Sequence, residues 1–391
     1  MADEMKQRNK IHLPFLDGIR GIAILGVFFF HALHATFQFD SLKWIGIYRD
    51  FNVGDSFLAL YPFTYGGSGV AIFFVVSGFC IHLSHQRSQE SGWLSFFNRR
   101  FFRIYPPYLL ALLFFFFVPP WGSFHLNSIS RIHQLTTHIL AIHNFDEQMF
   151  FGINPSFWSI AVEVQLYALY PLLLLLTTKL GWKRALLIVG CGEIWIRLFV
   201  VITSLTSADS IPWLIQNSPF AFWLSWSLGA YLCECSMNQH GSRLFALPFW
   251  LVFAIAIAVP LFKFTSPFTF LVFSLLTAIA IERLMTNKWI LPKHRYFRFL
   301  WGHLSLLGVV SYSFYLIHQP LIELTGPLLT QLLPGIAVHP LQKYLLCLSW
   351  YPVIFVASLL LYKQLEKPSI QMGKLMWQKR QETADQKTGA E

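Results

Sequence analysis

Ten apolar runs dominate this chain, and their length constrains the fold more than any other feature. They lie near 19–36, 68–84, 103–118, 157–176, 184–203, 216–235, 245–262, 265–285, 304–329 and 343–365. A helix needs about 20 residues to cross a ~30 Å hydrocarbon core, so each run is long enough, or nearly so, for one crossing. The expected fold is all-α: a polytopic membrane helix bundle of about ten transmembrane helices. Composition agrees. The 391 residues are 55% hydrophobic and 12% charged, whereas soluble domains carry about 25% charged residues.

The net charge of +10 would suggest a nucleic-acid partner in a soluble protein. Here the cations flank the apolar runs, where orientation and contact with anionic lipid account for them; membrane lipids are expected partners and nucleic acid is not. Of the 29 Lys and Arg, only Lys43, Arg49, Arg131, Lys263 and Lys343 fall on the side opposite the N-terminus, and Arg197 lies inside a run. That bias gives an N-in, C-in orientation. The basic start (Lys6, Arg8, Lys10) resembles a signal-peptide n-region, but Arg20 and His31 interrupt the run behind it, so an uncleaved first helix is expected. Cys80, Cys191, Cys233, Cys235 and Cys347 fall in or beside the runs without metal-ligand spacing, and read as small core residues. Residues 1–365 form one membrane domain, and 366–391 a short polar cytoplasmic tail expected to be disordered. The long connections at 37–67 and 119–156 are expected to carry short interfacial helices and a lid or acceptor-binding surface. His125, His133, His138 and His143 lie in the second; the spacing of the last three does not stack them on one helix face, and no metal site is assigned.

Polar residues inside the runs are the candidates for chemistry, because burying them in hydrocarbon is costly. Arg20 and His31 share the first run, about 16 Å apart along the axis and within about 20° of one face. Glu163 is roughly 9 Å into its run from the outer border and His31 about 12 Å below the same border, which places them at similar depth. A catalytic pair is the favoured reading; a structural Glu–His pair is the alternative. Arg100 and Arg103 are i,i+3 neighbours whose guanidiniums can converge on a phosphate, or else serve as a topological anchor. Glu193 and Arg197, at i,i+4, are expected to be a structural ion pair. His318 falls about 20 Å into its run, again in the outer half.

Four stretches carry a family resemblance: Arg20 and His31 at their spacing in the first run, GGSGVAIFFVVSGF with Ser68, RFFRIYPPY with Arg100 and Arg103, and PSFWSIAVEVQLYALYP with Trp158 and Glu163. The SYSFYLIH stretch ending at His318 adds a fifth. Together they resemble the membrane acyltransferase-3 family, and the likeness covers most of the chain. It implies a bacterial plasma (inner) membrane enzyme, an O-acyltransferase that moves an acyl group, most often acetyl, from a coenzyme A thioester to a sugar hydroxyl of a surface or exported polysaccharide. Acyl-coenzyme A is then a donor substrate and no cofactor is bound permanently; the acceptor is a carbohydrate, free or lipid-linked. In that scheme His31 is the base, oriented by Glu163; Arg20, Arg100 and Arg103 hold the donor; and Ser68, Trp158 and His318 line the site. Two rival functions fit the same residues less well. A secondary transporter of sugars or anions should show inverted repeats, and a non-catalytic part of a glycan export complex would bind no thioester.

Overall fold

The computed structural model describes residues 13–37, 60–87, 92–118, 128–206, 213–238, 242, 244–262, 264–292, 294–334 and 338–388. Among them there are helices and turns and no strand. The helices that matter here are α1 (Pro14–Phe37), α2 (Gly69–Arg87, led in by a 3₁₀ segment Tyr61–Ser68), α3 (Gly92–Phe117), α4 (Ser128–Ile139), α5 (Phe157–Leu180), α6 (Trp182–Thr206), α7 (Trp223–Met237), α8 (Phe249–Ala258), α9 (Thr269–Met285), α10 (Arg295–Val309), α11 (Ser311–Glu323), α12 (Thr325–Leu332), α13 (Pro340–Leu348), α14 (Tyr351–Leu361) and α15 (Lys367–Thr388). Each expected apolar run carries helix.

Among the described residues, seven helices are long and apolar enough to cross a membrane, or up to eight if the bent pair is one span. That pair, α10 with α11 and α12, turns by 83° at Val310, inside the run expected to be one straight span. The remaining two runs form α7, of 15 residues, and α8, of 10. Many α7 residues, among them Trp226, Ser225 and Ala230, are fully enclosed by neighbouring helices. α7 is thus a central helix of the bundle.

α1 is the hub, packing against α2, α10, α11, α13 and the 3₁₀ segment. The α1–α10 contact is backbone to backbone. A Cβ on Gly21 would overlap the Leu304 carbonyl, and one on Gly308 the Asp17 carbonyl. Small residues permit this approach, and the contact area replaces a hydrophobic drive that lipid does not supply.

Behind this core, Glu193 and Arg197 of α6 form the expected structural pair. Arg197 Nε and Nη2 donate to Glu193 Oε1 (3.1 and 2.6 Å), while the guanidinium also donates to the carbonyls of Pro267 and Ala221. Ser225 donates to Glu193 from its backbone N (3.0 Å) and Oγ (2.7 Å). Every buried charge here has partners, which makes the cluster a staple joining α6, α7 and the approach to α9.

The tail differs from expectation. α14 passes through a π-helical turn, Tyr362–Glu366, into α15, which stays helical to Thr388. Docking on α3 is the reason. Pro106 has no N–H to offer the Phe102 carbonyl, and Ser369 Oγ donates to that carbonyl instead; Asn98 Nδ2 donates to Gly373 O at 2.9 Å. Of the long connections, 38–59 and 119–127, with His125, lie outside the described residues. In the remainder, α4 is tied to the bundle by Tyr108 Oη donating to His138 O (2.8 Å). The chain reverses at Ala141, with φ 54°, and lays the His143 ring on that of His138 at 3.8 Å. The two histidines stack across a turn rather than along one helix face. Burial pushes His138 down to about 4 and His143 well below the ordinary imidazole range, so both are neutral at pH 7.

Candidate active site

A cavity opens where α1, α2, α3, α5 and α11 converge. Arg20, Arg100, Arg103 and Glu163 all line it, along with Ser77, Tyr167, Ser311 and Tyr315. The three arginines expected to act together are thus brought together. One helical turn separates Arg100 from Arg103, which keeps both on the α3 face that meets the cavity. α11 is tied to α3 beside them, since Tyr312 Oη donates to Ile104 O at 2.8 Å.

The arginines differ in their partners. Arg20 faces Asp17 at 3.7 Å. Arg103 interacts electrostatically with Glu163 and with Glu366, whose Oε2 accepts from Ser313 Oγ at 2.6 Å. The Arg100 guanidinium lies over the Phe96 ring, 5.2 Å from its centroid. Its Nε and Nη2 are buried, and no acceptor reaches them among the described residues. Ser311 Oγ is buried without a partner on the same wall. Buried donors left this way cost free energy unless something else accepts from them. An anionic oxygen ligand entering the cavity would.

The expected pairing of His31 with Glu163 does not form. Glu163 Oε1 accepts from Ser77 Oγ (2.6 Å) and from Tyr167 Oη, and Trp226 Nε1 donates to Ser77 Oγ at 3.3 Å. Glu163 therefore belongs to the arginine cavity. His31 Nδ1 instead meets His318 Nε2 at 2.7 Å, and His318 Nδ1 lies 2.9 Å from Tyr315 O. His31 is partly exposed and His318 fully buried. Tyr315 joins the two places: it lines the cavity, and its ring centroid is 5.3 Å from that of His318. Similar depth did not specify which face of α5 carries Glu163, and α11, which starts after the break at Val310, brings His318 to α1.

Two expected lining residues lie elsewhere. Ser68 is buried at the end of the 3₁₀ segment, and Trp158 stacks on Phe150 at 5.7 Å. Neither is on the cavity wall. Ser77, Tyr167, Ser311 and Tyr315 were not singled out as site residues, although two signals point to them. Tyr167 is i+4 from Glu163. Ser311, Tyr315 and His318 follow an i, i+4, i+7 stripe on one helix face.

The molecule is thus a multi-pass α-helical membrane protein with an arginine-lined internal cavity and a histidine pair beside it. The acyltransferase domain family, acyltransferase-3, matches residues 13–362, and the chain belongs to that family. It is 26% identical over 345 residues to the O-acetyltransferase OatA of Staphylococcus aureus strain NCTC 8325 / PS 47, covering 81% of this chain and 52% of that one. It is 27% identical over 224 residues to a protein of S. aureus strain COL provisionally named an O-acetyltransferase, covering 52% of this chain and 32% of that one. The chain thus spans about a third to a half of the length of these curated relatives. No solved structure matches it significantly.

Proposed function

We propose that this protein is a membrane O-acetyltransferase that takes an acetyl group from acetyl-coenzyme A and passes it to a sugar hydroxyl of a surface or exported polysaccharide. The observation that carries the reading is the cavity wall holding Arg20, Arg100 and Arg103, with Arg100 Nε and Nη2 buried and unpartnered. Coenzyme A presents phosphate oxygens at one end and a thioester at the other, so a cluster of guanidiniums suits its anionic end. The donor is a substrate; the scheme needs no resident cofactor. With the N-terminus inside, the arginines draw on cytoplasmic donor at a bacterial plasma membrane, and the acceptor glycan, free or lipid-linked, approaches His31.

In the transfer, the acceptor hydroxyl oxygen attacks the thioester carbonyl carbon while His31 takes the hydroxyl proton. The C–O bond forms, the C–S bond breaks, and the proton returns from the imidazolium to the leaving thiolate. Donor positioning by the arginines makes the attack effectively intramolecular. The test is mass spectrometry of cellular glycans with the gene present, deleted, and replaced by an Arg100→Gln/Arg103→Gln version. Loss of an acetyl mass in the last two supports the reading. Unchanged glycan acetylation on deletion overturns it.

A further inference from the structure

We infer that His318 is the positioning residue that fixes the tautomer of His31, holding the proton on Nδ1 and leaving Nε2 as the free basic nitrogen. The inference rests on the reading of His31 as the base, and it follows from hydrogen-bond chemistry.

His318 Nδ1 lies 2.9 Å from the carbonyl oxygen of Tyr315. A carbonyl can only accept, so Nδ1 of His318 carries a hydrogen. In a neutral imidazole the other nitrogen is then an acceptor, which makes His318 Nε2 a lone pair. That lone pair is 2.7 Å from His31 Nδ1, so His31 must donate from Nδ1. What remains on His31 is Nε2, which has no hydrogen-bond partner among the described residues and sits on a partly exposed side chain. A histidine side chain left to itself prefers the opposite tautomer, with the proton on Nε2. The carbonyl of Tyr315, acting through His318, reverses that preference.

The arrangement is rigid at its far end. His318 is fully buried, its ring packed between Phe314 (5.9 Å) and Tyr315 (5.3 Å). Pro320 leaves the Leu316 carbonyl without its helical donor, and Asn154 Nδ2 supplies one at 2.9 Å. Ser156 Oγ donates to Gln319 Oε1 at 2.5 Å. α11 is thereby clamped to the loop before α5 on both sides of His318. When His31 Nε2 takes a proton, the Nδ1–H···Nε2 bond to His318 becomes charge-assisted and stabilises the imidazolium. The pair holds one extra proton between its two rings, since two cations 2.7 Å apart repel strongly. The other titratable neighbour acting on His31 is His34.

The test is ¹⁵N NMR of histidine-labelled full-length protein in lipid nanodiscs, with the His31 signals assigned by their loss in His31→Ala. The wild type should show His31 protonated on Nδ1 and bare on Nε2. His318→Phe should move the proton to Nε2 and lower kcat on the order of 100-fold, with the KM for acetyl-coenzyme A unchanged. His318→Gln places an amide oxygen where it can accept from His31 Nδ1, and should restore the tautomer and much of kcat. A wild-type His31 protonated on Nε2 overturns the inference, and that spectrum decides even if the Phe variant does not fold. So does His318→Phe keeping the proton on Nδ1. Because the spectrum does not depend on turnover, a fully active His31→Ala protein would defeat the base reading alone.

Discussion

Arg100→Gln should have opposite effects on the empty and the loaded protein. In the empty protein, Arg100 holds a charge over Phe96 with Nε and Nη2 buried and unpartnered. Gln removes that buried, unpartnered charge, so thermal stability without ligand should hold or rise. In the loaded protein, two charge-assisted hydrogen bonds to phosphate disappear. Each contributes about 1.5–3 kcal/mol. Arg20 and Arg103 remain on the same wall and water can enter the vacated space, so the low end applies. The net loss should be about 3 kcal/mol, or roughly 150-fold in Kd. Calorimetric titration of coenzyme A into purified full-length protein reads the second effect. Thermal unfolding with and without coenzyme A reads both, since a ligand bound to the native state raises Tm. Wild-type affinity in the variant, or a stability loss that accounts for all the lost binding, would mean that Arg100 holds no phosphate.

Other perturbations should separate the parts of the site. His31→Ala should abolish acetyl transfer yet bind coenzyme A with wild-type affinity, because His31 is off the cavity wall; weakened binding in the titration would contradict this. Glu193→Gln leaves Arg197 buried without its counter-charge and should cost about 3–5 kcal/mol of stability, seen as a lower Tm with donor affinity intact in the folded fraction. A Tm at the wild-type value would count against the staple. The His138–His143 stack should make the 128–150 segment acid-sensitive. His138 has a folded value near 4 against about 6.5 when unfolded. The neutral stack is therefore fully stable above pH 6.5, and its stability is lost as pH falls toward 4. At pH 5 the loss is about 2 kcal/mol for His138, with His143 acting in the same direction. Hydrogen exchange in the segment, corrected for intrinsic rate, should be faster at pH 5 than at pH 7; equal protection would contradict this.

What the sequence made legible was governed by local periodicity. Hydrophobic runs located the helices because each run must bury its own backbone hydrogen bonds. The i,i+3 spacing of Arg100 and Arg103 put both on the cavity wall, and i,i+4 spacing paired Glu193 with Arg197. The His31 partner was not legible, because it depends on the 83° break at Val310. Depth counted at 1.5 Å per residue fixes height and not helix face, and Glu163, level with His31 by that count, faces the arginines instead. The tail was misread for a similar reason. Its end, QKRQETADQKTGAE, is almost wholly polar, and its helix rests on Ser369 and Gly373 meeting α3, contacts made 275 residues apart for Gly373 and Asn98.

One chain should both bind an acyl-coenzyme A in the arginine cavity and use His31 to move the acyl group to a hydroxyl. Purified protein in nanodiscs, acetyl-coenzyme A labelled in the acetyl group, and a polysaccharide extract of the host as acceptor read both steps in one assay. Label should pass to base-labile ester on the carbohydrate with the wild type, and stay on coenzyme A with His31→Ala and with Arg100→Gln/Arg103→Gln. Equal ester formation by His31→Ala would exclude His31 as the base, and wild-type protein that binds the thioester and never transfers its label would exclude the transfer itself.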